Sequence, residues 1–135
     1  MTNISGNLSR FSLLIVDDVP LNCTLVEKMV SRFNFDVRTA GNGLECLREI
    51  IARKPDLILL DLMMPIMDGF EVLSTVRAKP DLANMKIVVL SALNSNEDIV
   101  RAYNLGANDF LTKPILLSKL THSIATQLNI PLEQS

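Results

Sequence analysis

Residues 57–61 read LILLD, and this stretch decides the fold. Four consecutive branched apolar residues are typical of a strand that is buried on both faces, as in parallel sheets. The carboxylate that follows is unfavourable near a protein interior unless a partner or a cation accompanies it. We therefore interpret the stretch as a buried strand that delivers Asp61 to one edge of a parallel sheet.

Similar runs occur along the chain and alternate with longer amphipathic segments. Leu13–Val16 and Ile87–Leu90 are equally apolar, Asp36–Ala40 is a weaker mixed strand, and Phe110–Leu111 is short. Five strands that alternate with five helical patterns predict a doubly wound (βα)5 α/β fold. In this fold a five-stranded parallel sheet is the middle layer of a three-layer sandwich.

The helical segments carry recognisable start signals. Pro20 fits the first turn of the first helix. Asn42 and Ser95 are predicted N-caps, since an acidic residue follows each of them by three positions. Two apolar stripes with a spacing of four residues predict the buried faces of the first and last helices: Leu21, Leu25, Met29 and Phe33, and Leu116, Leu120, Ile124 and Leu128.

Composition and charge exclude several classes of protein. The chain has 135 residues, which is about one domain, and 13 Lys and Arg against 15 Asp and Glu give a net charge of −2. Without a dense basic window, direct nucleic-acid binding is not expected. No apolar run approaches the ~20 residues of a membrane span, so we expect no membrane insertion and a cytoplasmic location. Cys23 and Cys46 are interpreted as small buried or half-buried hydrophobic residues in a reducing compartment.

Polar residues follow four of the five predicted strands. Asp17-Asp18 follow the first strand, Asp61 the third, Ser91 the fourth and Lys113 the fifth. Ligands of such folds bind beyond the carboxyl ends of the strands. Three carboxylates brought together need a cation, and Mg²⁺ prefers oxygen ligands and phosphate. A lysine and a hydroxyl could hold a phosphoryl group, and one carboxylate could act as its nucleophile.

With these motifs in place, the chain resembles the receiver domain of two-component response regulators. The matching stretches are LIVDD (14–18), LLDLMMPIMDG (59–69), SA (91–92) and GANDFLTKP (106–114), in the family's order and spacing. The resemblance extends over about residues 11–128. It is consistent both with a single-domain response regulator and with a receiver domain cut from a hybrid kinase. It implies the flavodoxin-like strand order 2-1-3-4-5, a flexible segment at 1–10 and a tail at 129–135.

The resemblance implies a role for each site residue. Asp61 is the expected phosphoacceptor, and Ser91 and Lys113 are expected to contact the phosphoryl oxygens. Asp17, Asp18, Asp61 and the backbone carbonyl of Met63 are expected to hold Mg²⁺, with Mn²⁺ as the other candidate. The expected phosphoryl donor is a histidine kinase or a histidine phosphotransfer protein.

The resemblance also implies a switch and its readout. Phe110 is the expected switch aromatic, coupled to Ser91, and Met63 and Leu93 are expected to set the lifetime of the phosphoaspartate. The fourth helix, fifth strand and fifth helix should then signal a downstream protein or an output domain. The predicted partner surface lies around Ile99, Arg101, Tyr103 and Lys119.

Three other functions were compared with this one. A phosphohydrolase with an aspartyl nucleophile would need an acid two residues after Asp61, where this chain has Met63. A nucleotide-binding domain would need a glycine-rich fingerprint, and Gly41-Asn42-Gly43 is incomplete and follows the wrong strand. A receiver-like scaffold that is never phosphorylated stays open, although the intact acidic set argues against it.

Overall fold

The computed structural model describes residues 2–4 and 11–134. Two short 3-10 helices occur at Ser31–Phe33 and Pro80–Leu82. The strands are β1 (Thr2–Ile4), β2 (Ser12–Val16), β3 (Asp36–Ala40), β4 (Leu57–Leu60), β5 (Lys86–Ser91), β6 (Asp109–Thr112) and β7 (Leu132–Gln134). The helices are α1 (Pro20–Val30), α2 (Gly43–Ala52), α3 (Gly69–Arg77), α4 (Asn96–Asn104) and α5 (Leu117–Leu128).

The central sheet is parallel, with strand order β3-β2-β4-β5-β6. Counted without the terminal strand β1, this is the predicted order 2-1-3-4-5, which is confirmed. Leu60 lies opposite both Val16 and Val89, so the carboxyl ends of three strands reach the same edge. The Asp61 N–H donates to the Val16 carbonyl at 2.9 Å, which extends this alignment one residue into the polar edge.

The two faces of the sheet bury separate cores, which gives the predicted three layers. In β4, Ile58 and Leu60 pack toward α2, α3 and α4, whereas Leu57 and Leu59 pack toward α1 and α5. This alternation is the period of two that a strand imposes on its side chains. Both cysteines are free and buried, as predicted.

The predicted buried face of the first helix is partly wrong. Phe33, in the 3-10 helix that follows α1, is buried, and Met29 packs against the same core, but Leu21 and Leu25 do not. Leu21 and Leu25 are 65% and 51% exposed, while Cys23, Val26 and Val30 are buried against the sheet. The helix carries two apolar sets, and the second has the i, i+3, i+7 spacing of a buried face. The direction from which the helix packs on β2 decides between them, and the pattern of this segment alone does not contain that direction.

The caps of α2 and α4 are confirmed. The Asn42 side chain accepts the Glu45 N–H at 2.8 Å. The Ser95 hydroxyl accepts the Asp98 N–H at 3.1 Å and donates to the Asp98 carboxylate at 2.8 Å. In α5 the stripe is partly wrong, because Leu116 lies at the N-cap and is exposed.

The terminal segments form a small antiparallel sheet, in which Asn3 of β1 lies opposite Glu133 of β7. The sequence pattern predicts no strand in either segment. The rest of the segment predicted to be flexible, residues 1 and 5–10, lies outside the described residues. The boundaries of the domain at 11 and 128 remain a prediction. None of the helices in the described parts of the chain has both the length and the hydrophobicity to cross a membrane.

Candidate functional site

Three carboxylates meet at the carboxyl edge of the sheet. Asp17 and Asp18 follow β2 and Asp61 follows β4, and one oxygen from each lies within 4.8 Å of the other two. Asp17 and Asp61 are buried, whereas Asp18 is exposed. Two backbone N–H groups orient the buried pair: Val19 donates to Asp17 at 2.9 Å, and Met63 donates to Asp61 at 3.3 Å.

Lys113 supplies the positive charge of this cluster. Its ammonium lies 2.9 Å from Asp17 Oδ2 and 3.9 Å from Asp61 Oδ2. The lysine follows β6, and its backbone N–H donates to the Ser91 carbonyl at 2.8 Å. The peptide bond from Lys113 to Pro114 is cis. In this state the ammonium is thus nearer to Asp17 than to the predicted phosphoacceptor.

The charges at this edge do not balance. Burial raises the pKa of Asp61, Lys113 opposes that increase, and Asp17 adds to it. One ammonium against three carboxylates leaves a deficit of two positive charges. A hard divalent cation such as Mg²⁺ or Mn²⁺ fits both this deficit and the oxygen ligands.

Ser91 connects the site to the loop that precedes α4. Its side chain is fully buried, and its hydroxyl accepts the Leu93 N–H at 3.1 Å. Leu93 is half-buried and packs, together with Phe110, against the core beneath α2, α3 and α4. The predicted switch aromatic therefore already contacts the interior in this state.

The two predicted lifetime residues differ in their surroundings. Met63 is exposed at the edge of the acidic cluster, whereas Leu93 is partly covered.

Gly69 is a site residue whose importance the sequence did not indicate. A Cβ on Gly69 would lie 2.5 Å from the Asp61 carbonyl oxygen and 2.7 Å from Leu62 Cα. The Gly69 N–H donates to the Leu62 carbonyl at 3.0 Å, so the start of α3 lies directly on Asp61 and Leu62. Asp68 caps α3, since its carboxylate accepts the Glu71 N–H at 2.9 Å.

Contacts around α4 were also missed. The Arg101 guanidinium lies 3.9 Å above the ring of Phe70, the second residue of α3. The Tyr103 hydroxyl donates to Asp109 Oδ1 at 3.3 Å, and the Ser123 hydroxyl donates to Asp109 Oδ2. Asp109 thus connects α4, β6 and α5. No spacing rule relates these residues, because their elements meet only in the folded sheet.

Comparison with known proteins agrees with this geometry. The family model that describes the response regulator receiver domain matches residues 13–125. The chain is 36% identical to the chemotaxis protein CheY of Listeria monocytogenes, over 83% of this chain and 93% of that protein. It is 39% identical to the response regulator PleD of Caulobacter vibrioides over 76% of its length, but spans only 23% of PleD.

Solved structures have the same fold. A putative response regulator from Chloroflexus aurantiacus superposes with a TM-score of 0.84 at 29% identity, covering 88% of this chain and 98% of that one. The receiver domain of the sensor histidine kinase PA1611 from Pseudomonas aeruginosa, with a magnesium ion coordinated in its active-site cleft, gives 0.81 at 26% identity and the same coverage. The fold, the acidic cluster and these relatives agree: the chain belongs to the family of response regulator receiver domains.

Proposed function

We propose that this domain is a phosphoacceptor switch of a cytoplasmic two-component phosphorelay, with Asp61 as the phosphorylated residue. The observation that carries the proposal is the position of Asp61, which is buried within 4.8 Å of two other carboxylates and 3.9 Å from an ammonium. A scaffold would gain stability by losing this carboxylate, since burial and a like charge both raise its pKa. The presence of all three carboxylates and the lysine therefore favours a reactive role for Asp61 over a purely structural one.

The step is a phosphoryl transfer from a histidine of the donor protein. A carboxylate oxygen of Asp61 forms the new bond to phosphorus, and the bond between phosphorus and the donor imidazole nitrogen breaks. The imidazole leaves with that electron pair. Asp17, Asp18, Asp61 and the Met63 carbonyl would hold Mg²⁺, which neutralises charge on the phosphoryl oxygens when it is bound.

Lys113 and Ser91 would receive the remaining phosphoryl oxygens. The Lys113 ammonium needs only a short shift from Asp17 toward Asp61, because both oxygens lie within 4 Å of it. If the Ser91 hydroxyl turns toward the phosphoryl group, it releases the Leu93 N–H that it now accepts. The loop before α4 then changes, and Phe110, which packs against the same core as Leu93, would respond to that change.

The donor would dock on the exposed apolar face of α1. Leu21 and Leu25 are both more than half exposed on the helix that starts three residues after Asp17. Leu25 also lines a groove with Pro114 and Ile115, next to Lys113. The output side would be the face of α4, β6 and α5, toward a downstream protein or an output domain.

Acetyl phosphate and Mg²⁺, followed by intact mass spectrometry, test the proposal. We expect a single phosphoryl adduct on the wild type and none on Asp61→Asn. Asp81→Asn is the control, because Asp81 is an exposed carboxylate in the 3-10 helix that precedes β5. Equal labelling of wild type and Asp61→Asn would contradict the proposal, and so would no labelling at all.

A further inference from the structure

Ile66 has an unfavourable backbone conformation. Its φ is 72°, and the Met67 N–H donates to the Pro65 carbonyl at 2.7 Å across it. This is a γ-turn of the rare type with positive φ at its centre. A β-branched residue is an outlier in this region, because its Cβ crowds the backbone.

Packing does not offset this strain. The Ile66 side chain is 76% exposed, although Met64 and Met67 on either side of the turn are only 8% exposed. The buried methionines hold the turn in place, while the isoleucine at its tip points its apolar surface into solvent. Glycine would adopt the same φ without strain. The free domain therefore gains nothing from an isoleucine here.

The turn lies in the loop that contains the phosphoacceptor. Asp61 begins this loop, and Met63, which donates its N–H to Asp61, is 56% exposed. The Gly69 N–H donates a hydrogen bond to the Leu62 carbonyl, so both ends of the loop are fixed beside Asp61. Ile66 is thus an exposed apolar side chain at the tip of a loop whose two ends lie beside Asp61.

We infer that Ile66 is a specificity-determining contact for the protein that donates the phosphoryl group. The inference rests on the proposed function and names a part of the chain that recognises the donor. An isoleucine at the tip of this loop can gain apolar contact area only from a large partner, and a small anionic donor offers it none. The occupant is therefore an apolar patch beside the phosphohistidine of the donor protein.

Two variants separate the side chain from the turn. Ile66→Gly removes both the side chain and the strain, whereas Ile66→Ala removes most of the side chain and keeps a Cβ at positive φ. Ile51→Ala is the matched control, since Ile51 is 82% exposed in α2, on a different surface. The donors are a panel of histidine kinase cores, autophosphorylated with radiolabelled ATP, with acetyl phosphate as the small donor.

We expect both Ile66 variants to lose transfer from the fastest kinase core by at least about tenfold, the effect of one buried aliphatic side chain. Labelling by acetyl phosphate should stay within about twofold of wild type, and Ile51→Ala should match wild type with both donors. Ile66→Gly should also melt about 2–4 °C higher than wild type.

Three results would overturn the inference. Full kinase transfer to Ile66→Gly would show that the side chain is not used. Loss in Ile66→Gly but not in Ile66→Ala would assign the effect to the turn. A wild type that acetyl phosphate labels but every kinase core fails to label would remove the donor that the inference requires. The proposed function itself fails separately, if acetyl phosphate does not label Asp61.

Discussion

Replacement of Lys113 by methionine should make the stability of this domain depend more strongly on Mg²⁺. At an effective dielectric constant of about 20, an ion pair at the 2.9 Å between Lys113 and Asp17 is worth about 5.7 kcal/mol, and one at the 3.9 Å to Asp61 about 4.3 kcal/mol. Desolvation of the three groups opposes most of this attraction. The net change in the free energy of unfolding is therefore better taken from the typical cost of leaving buried carboxylates without their partner.

Removing one partner of a buried ion pair typically costs about 3–5 kcal/mol. The Lys113 side chain is 25% exposed, so we expect Lys113→Met to lower the free energy of unfolding by roughly 2–3 kcal/mol when no divalent cation is present. Mg²⁺ would replace the missing charge at the same carboxylates. The deficit should then fall to about 1 kcal/mol, which by linkage requires roughly tenfold tighter Mg²⁺ binding by the variant.

Urea unfolding followed by circular dichroism, in EDTA and in saturating Mg²⁺, measures both deficits. Titration calorimetry with Mg²⁺ measures the affinity directly. Lys119→Met is the control, because Lys119 is an exposed lysine of α5 that should change neither quantity. An equal loss of unfolding free energy by Lys113→Met in both media, or Mg²⁺ binding no tighter than that of wild type, would contradict this prediction.

Three further predictions concern the same edge of the sheet. Asp61→Asn should be more stable than wild type at pH 7 without Mg²⁺, by on the order of 1–2 kcal/mol, because burial and Asp17 disfavour the charged form. Because the pKa of Asp61 is raised in the folded state, wild type regains this stability as the pH falls through the folded pKa toward about 4. A difference in unfolding free energy between wild type and Asp61→Asn that stayed constant over this pH range would contradict this prediction. Met63→Asn should shorten the lifetime of the phosphoaspartate severalfold, because an amide can orient an attacking water and a thioether cannot; slower phosphate loss from the variant in a chase after acetyl phosphate would contradict this. Gly69→Ala should destabilise the fold by about 1–3 kcal/mol, since its Cβ would collide with the backbone of Asp61 and Leu62, and an unchanged melting temperature would count against the close approach.

Much of the fold follows from local pattern. The limits of β3 and β4 coincide with the predicted segments, and the caps at Asn42 and Ser95 form the predicted contacts. These features depend on a few neighbouring residues. The gathering of Asp17, Asp18 and Asp61 was also predictable, because parallel strands of a doubly wound sheet end at the same edge.

What could not be predicted depends on the relative position of distant elements. The exposure of Leu21 and Leu25 is set by how α1 packs on the sheet, and both apolar sets of that helix are consistent with its sequence. The preference of Lys113 for Asp17 over Asp61 depends on about one ångström of loop geometry. Pairing of β1 with β7 joins segments more than 100 residues apart, and neither segment has a pattern that identifies the other.

The stacking of Arg101 on Phe70 has a consequence for the movement of α4. The N-terminal end of this helix is connected to the site through Leu93 and Ser91, a contact that a turn of the hydroxyl would break. Its C-terminal half is held against α3 by Arg101, at 3.9 Å from the Phe70 ring. A helix released at one end and held at the other swings about the held end instead of sliding. The largest displacement should therefore occur near Asn96, the first residue of α4, and not near Tyr103.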